Sequence, residues 1–279
     1  LPPAASAGVG VVIVLQLMRL AQCFGRGGTW GGGILMAYEN VPENKRSFYA
    51  AIPQIGLPIG FGLSSILIAV PTLLLPEDIF FTWGWRIPFL AAIILTVIVI
   101  RQKGEMMETE DYKKAQAKLE AEEAEGKKHK VGFIPMVKGY WKTLLLGCGT
   151  RWVDGTFYNI FIVWILSYCI NWLGMPLIQT YIITIIACIF KIPFTLFGGW
   201  CAQKLGNTRT FVIGALASAV LSIPTLKVIE LSKGNLAITI IGIVLGWSIA
   251  YNLIWAVISS LWSSYFETEV RYSGISFVY

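Results

Sequence analysis

Apart from one polar stretch between Arg101 and Lys142, the chain is a succession of apolar runs of about 18 to 30 residues, and this limits the fold more than any other feature. The runs are Gly8–Met36, Phe48–Pro71, Trp83–Ile100, Trp141–Ile170, Pro176–Trp200, Phe211–Val228 and Leu236–Trp262. At 1.5 Å per residue each is long enough, or nearly so, to cross a hydrocarbon layer of about 30 Å as a helix. Hydrophobic residues make up 56% of the chain and charged ones 14%, a balance a water-soluble globule does not accommodate. The expected fold class is therefore an all-α polytopic membrane protein.

Lysine and arginine placement orients the spans. Lys45, Arg46, the ten basic residues from Arg101 to Lys142, Lys204, Arg209 and Arg271 fall in loops on one side, against Arg86, Lys227 and Lys233 on the other. The positive-inside rule puts the richer side, and with it the central linker, in the cytoplasm. This places Leu1 outside, with no signal peptide and no earlier span to carry it there. Two halves of six spans each would put three spans before this chain and two around or beyond its end. Glu108–Glu125 reads as a solvated charged helix, with Glu110/Lys114 and Lys118/Glu122 at i, i+4, ending at Gly126.

Several function classes are excluded by what is missing. The net charge of +6 is spread over short loops with no basic stripe or nucleic-acid motif. His129 is the single histidine, and the five cysteines (Cys23, Cys148, Cys169, Cys188 and Cys201) show no CxxC spacing, so no metal site is expected and the cysteines read as small core residues. No nucleophile–base pair marks an enzyme, and no cofactor is expected. The glycines of GRGGTWGGG and those at Gly56, Gly60 and Gly62 lack the GK[ST] of a phosphate cradle, and read instead as close-packing positions at Gly28/Gly32 and Gly56/Gly60.

Ionisable groups inside spans are costly in lipid unless they face a cavity or a partner, so they carry the functional signal. Arg19, Gln22, Arg26 and Thr29 follow at i, i+3, i+7 and i+10, one stripe of a helix, with Trp30 beside it. Arg151, Asp154 and Tyr158 at i, i+3 and i+7 repeat the pattern with an acid included. Arg151 and Asp154 can pair and hold the face shut, or open to an anionic ligand or a proton. Lys191 lies too deep in its span to snorkel; it can bind an anionic solute or simply bond to carbonyls. Gln54 and Asn252 complete the interior polar groups. A weak internal echo, an acidic turn followed by arginine and an apolar helix, relates Glu39–Phe48 to Phe266–Ser273.

The strings RLAQCFGRGGTWGGG, ENVPENKRSFYAAIPQIGLPIG, WGWRIPFL and RWVDGTFYNIF, with GGWCAQKLGNTR and ETEVRYSG, resemble the metabolite:proton symporter family of the major facilitator superfamily, carriers of osmolytes, shikimate, citrate and α-ketoglutarate. The resemblance implies the major facilitator fold, with this chain running from about transmembrane helix 4 to the start of helix 11. It implies three parts: residues 1–100 as the second half of the N-terminal bundle, 101–140 as the cytoplasmic linker, and 141–279 as the C-terminal bundle. It further implies a secondary active transporter in the plasma (inner) membrane, moving a small carboxylate or zwitterion together with protons.

The site expected on both grounds combines Arg19, Gln22 and Gln54 with Arg151, Asp154, Tyr158, Lys191 and Asn252, Asp154 being the proton-coupling candidate. The cytoplasmic gate motif of the family corresponds to Gly199, Lys204, Gly206 and Arg209. The chain departs from the family pattern at Thr29, where the family has a glutamate, and at Gln203, Asn207 and Thr208, where the gate motif has an acid and two arginines. These losses weaken the case for coupling and for the inner gate, and make an uncoupled facilitator or a non-transporting sensor the competing reading.

Overall fold

The structure, a computed structural model, describes residues 8–103 and 133–279, except for the side chains of residues 24–29, 102, 103, 133–135 and 269. The charged helix expected over Glu108–Glu125 thus lies outside the described residues, as do the side chains of Arg26 and Thr29. Among the described residues there is no strand. The helices are α1 (Val9–Glu39), α2 (Glu43–Leu74), the short α3 (Glu77–Thr82), α4 (Ile87–Lys103), α5 (Met136–Asn171), α6 (Leu177–Leu205), α7 (Asn207–Leu231), α8 (Leu236–Ser263) and α9 (Thr268–Val278). Six helical stretches are long and apolar enough to cross a membrane, and α1 adds 31 residues whose first part, Val9–Cys23, is apolar. The boundaries agree with the sequence reading to within a few residues, and the helices extend past the apolar runs mostly at their polar ends.

Side chains such as Leu74, Ile94, Trp152 and Trp172 stand on the outside, each more than 60% exposed. In water so large an apolar surface would drive association, whereas lipid tails solvate it without penalty. The turn before α4 behaves as an interfacial anchor: Phe81 and Trp83 are exposed, and Arg86 donates from Nη1 to the Thr82 carbonyl at 2.6 Å while lying over the Trp85 ring. Cys169 and Cys188 are core residues as expected, but Cys23 and Cys148 are exposed.

α8 lies at the centre, with an almost continuous buried run from Trp247 to Ser263. It packs against α6 and α7, and α6 in turn lies along α2. The α2 face that meets α6 is Pro58, Gly62, Ser65 and Ala69, with Cys188 3.5 Å from where a Cβ on Gly62 would stand. The expected pair Gly56/Gly60 does not make this contact with α6: a Cβ on either would meet nothing within 4 Å among the described residues. Both patterns are small residues on one helix, and only the rotation of α2 selects between them. Gly31 and Gly32 of α1 do pack closely, against Tyr272 and, for Gly31, Ser276 of α9.

Two helices carry a wide turn, Asn159–Trp164 in α5 and Val244–Ala250 in α8, where the backbone takes one residue more per turn than an α-helix. The two turns meet. A Cβ on Gly246 would overlap the Phe161 ring and stand 2.9 Å from Thr225 Cγ2, so α8 passes α5 and α7 at a distance that only glycine permits. Gly246→Ala is therefore expected to cost about 1–3 kcal/mol by overpacking, read as a lowered thermal midpoint in detergent. Gly149→Ala, with nothing within 4 Å, should leave the midpoint unchanged or slightly raised.

Candidate functional site

The wide turn of α8 sets the register of Trp247, Tyr251 and Asn252 toward α5 and α6. Asp154 of α5 is fully buried, and both of its oxygens are engaged: Arg151 donates to Oδ2, and Tyr251 donates from its hydroxyl to Oδ1 at 2.7 Å. Arg151 is only partly buried and lies over the Tyr279 ring at 4.7 Å, which stacks on Trp30 of α1 at 4.2 Å. The arrangement expected from the i, i+3 spacing is present as an ion pair, and Tyr251 is the partner the spacing could not name.

Lys191 of α6 ends under the same tyrosine. Its Nζ lies 4.3 Å from the ring centroids of both Trp247 and Tyr251, and the residue is fully buried. Tyr251 thus touches both charges, its ring facing Lys191 and its hydroxyl bound to Asp154. Asn252 is occupied structurally: its Nδ2 donates to the Lys191 carbonyl and to Thr195 Oγ1, both at 2.9 Å. Those bonds join α8 to α6 and steady the helix segment that carries Lys191. Tyr158 is half-buried and meets Phe61 of α2 edge to face, and Phe61 also meets Trp247.

Gln54 is buried on α2, its carbonyl accepting from Trp255 Nε1 at 3.0 Å. Arg19 and Gln22 lie in the stretch of α1 from Val12 to Cys23, every residue of which is exposed, and among the described residues neither meets the Arg151–Asp154 group. The structure brings Gln54, Arg151, Asp154, Tyr158, Lys191 and Asn252 to the contact of α2, α5, α6 and α8, and leaves Arg19 and Gln22 outside it. Sequence reasoning missed Phe61, Trp247 and Tyr251. The last two, with Trp255, recur every fourth residue along α8, a stripe legible in the sequence but indistinguishable there from ordinary core packing.

The parts of the chain before and after the linker also meet at the end where α4 stops and α5 begins. A Cβ on Gly199 would stand 2.7 Å from Ala51 Cβ, so this glycine lets α6 touch α2. Gln203 donates to the Asn44 carbonyl and accepts from the Phe48 amide, so the neutral residue still bridges the halves where an acid was expected. Gly206 turns the chain from α6 into α7 at φ 90°, ψ 153°, a region essentially closed to other residues. Lys204 lies over the Trp200 ring, and Arg209 is exposed.

The two echo segments form the rest of this contact. Arg271 donates to Glu39 at 2.9 Å, and Arg46 and Arg271 both lie over the Tyr38 ring, 5.3 and 5.7 Å from its centroid. Both members of the Glu39–Arg271 pair are largely shielded from solvent, so removing either charge alone leaves the other with less to balance it. Glu39→Gln and Arg271→Gln are each expected to cost about 3 kcal/mol, with the double variant recovering part of the loss. A double-mutant cycle on thermal midpoints reads the coupling, and additive losses would show that the pair contributes nothing.

The chain as a whole has relatives among known proteins. The chain matches the family described as the Major Facilitator Superfamily over residues 3–279. It is 28% identical to the inner membrane metabolite transport protein YhjE of Escherichia coli K12, covering 100% of this chain and 62% of that protein. It is 26% identical both to the shikimate transporter of the same organism, over 98% of this chain and 61% of the relative, and to the proline/betaine transporter of Salmonella typhimurium, over 99% and 55%. The chain therefore spans less than two thirds of the length of these curated relatives, and no solved structure matches it significantly. With the family matched over nearly its whole length, and with helices of membrane-spanning length and polarity, the chain belongs to the Major Facilitator Superfamily as a multi-pass membrane protein.

Proposed function

We propose that the full-length protein is a secondary transporter of the plasma (inner) membrane that moves a small organic solute by alternating access, with protons as the coupling ion and the central linker in the cytoplasm. The observation that carries this reading is the set Arg151, Asp154, Tyr251 and Lys191 at mid-span, of which all but Arg151 are fully buried. Ionised groups at that depth are retained where a pathway or a coupling step needs them. The relatives named for metabolites, shikimate and proline or betaine support a small solute. Residues 1–100 act as one moving unit and 141–279 as the other, rocking about a site between them.

In this scheme Asp154 is the proton-coupling residue. While it is ionised, Arg151 and Tyr251 are held on it and the α5–α8 contact is closed. A proton on Asp154 cancels the charge that retains Arg151 and frees the guanidinium for a solute carboxylate. Gln54, Tyr158 and Asn252 shape the solute site from three helices, and Arg19 and Gln22 contribute from the face of α1. Gly199, Gln203, Lys204, Gly206 and Arg209 make the cytoplasmic gate with the Glu39–Arg271 pair, whose bonds break and re-form each cycle.

Uptake in proteoliposomes of the full-length protein tests this, with shikimate, proline and glycine betaine as solutes and an imposed pH gradient. Gradient-driven accumulation of one of them is expected. Asp154→Asn should lose accumulation while keeping solute exchange at equal pH on both sides, and Arg151→Ala or Arg19→Ala should lower uptake at least about tenfold, the loss of one charge-assisted bond. Exchange without response to the gradient in the unaltered protein would make it an uncoupled facilitator. Solute binding with no flux at all would make it a sensor, the reading that Thr29 and Gln203 favour.

A further inference from the structure

Three of the five buried side-chain polar atoms without a hydrogen-bond partner among the described residues sit on α2, α6 and α8, and the other two are the Ser218 and Ser276 hydroxyls. Lys191 Nζ, Trp247 Nε1 and Gln54 Nε2 are each buried without a hydrogen-bond partner among the described residues, and all three are donors. Ammonium and indole nitrogens carry hydrogens and no acceptor, so nothing but an acceptor can satisfy them. The acceptors nearby are committed: Asp154 takes Arg151 and Tyr251, and the Lys191 carbonyl and Thr195 hydroxyl take Asn252. Of the three charged side chains in the group, Arg151 is balanced by Asp154, and the charge of Lys191 is left over.

The position of that charge adds a second constraint. Two aromatic faces 4.3 Å from one nitrogen are the arrangement by which proteins recognise quaternary ammonium ligands, and here the protein's own ammonium fills it. A cationic head group seeking the box would find it occupied and meet like charge at contact distance. It would also find the adjacent carboxylate already paired.

We propose that Lys191 and Trp247 form an anion subsite of the transport site described above, and that the lysine seated between Trp247 and Tyr251 makes the site select a small carboxylate and reject quaternary ammonium and betaine-type solutes. The assignment rests on the carrier reading for its place in a transport cycle. Its substrate class follows from the donors alone: one carboxylate oxygen faces Lys191, and the remaining acceptor capacity goes to the indole hydrogen of Trp247.

The test uses purified full-length protein in detergent and its thermal midpoint as a function of added probe. Shikimate and benzoate are the carboxylate probes, and tetramethylammonium and glycine betaine the ammonium ones. The unaltered protein is expected to be stabilised by a carboxylate probe and by neither ammonium probe. Lys191→Met fills the volume without charge and should weaken carboxylate affinity about 10- to 100-fold, with no response to ammonium. Lys191→Ala should lose the carboxylate response equally and gain one to tetramethylammonium, because the box is emptied. Both variants remove an unpaired buried charge, so they are expected to fold.

Stabilisation of the unaltered protein by an ammonium probe, no response to either carboxylate, or carboxylate affinity retained in Lys191→Met would each overturn the proposal. Lys191-dependent carboxylate binding without flux in proteoliposomes would sink the carrier reading and leave the subsite standing. Betaine flux that survives Lys191→Met would do the reverse.

Discussion

A carboxylate inside the spans has no water to solvate it, and Asp154 is held there by two donors from different elements, Arg151 one turn earlier and Tyr251 across from α8. Much of the architecture follows from meeting that requirement. Tyr251 reaches Asp154 from a position set by the wide turn at Val244–Ala250, which closes with the Tyr251 amide donating to the Gly246 carbonyl at 3.0 Å. That turn in turn needs Gly246, because Phe161 occupies the space a side chain would take. Breaking one partner of a buried pair costs more than the pair itself contributes. A buried charge therefore constrains the helices that carry its partners as firmly as apolar packing does.

The contact between the two parts of the chain is built differently. It uses backbone carbonyls as acceptors for side chains from the opposite part: Trp255 donates to Gln54, Ser259 to Ala50 and Gln203 to Asn44. Such bonds fix a position without a charge that must be neutralised before the parts can separate. Among the described residues the one ion pair across this contact, Glu39 with Arg271, lies at the end of the spans, where water can take over the charges when they part. An interface of single hydrogen bonds and small-residue packing suits two bodies that move against each other.

The internal echo gained content from the structure. Arg46 and Arg271 hold equivalent places in it, and each donates from Nε to the carbonyl five residues earlier, Val41 and Phe266. Each also lies over Tyr38. Sequence alone showed two acidic turns followed by arginine; it could not show that the two turns converge on one tyrosine.

Fold class and span boundaries were legible in the chain because lipid leaves the backbone no alternative to the helix, so apolar length alone decides. The i, i+3 pairing of Arg151 with Asp154 was legible for the same kind of reason, being local geometry on one helix. Helix rotation was not: small residues at Gly56/Gly60 and at Pro58/Gly62 look alike until a neighbouring helix chooses one face. Nor could spacing place Arg19 and Gln22 outside the buried group, since a polar stripe states only that a face is polar. The residues of α5 to α9 and their chemistry came from the sequence. That Tyr251 serves Asp154 and Lys191 at once, and that Lys191 rather than a ligand fills the aromatic box, was decided by tertiary structure, because those contacts join residues up to 97 positions apart through the packing of α5, α6 and α8.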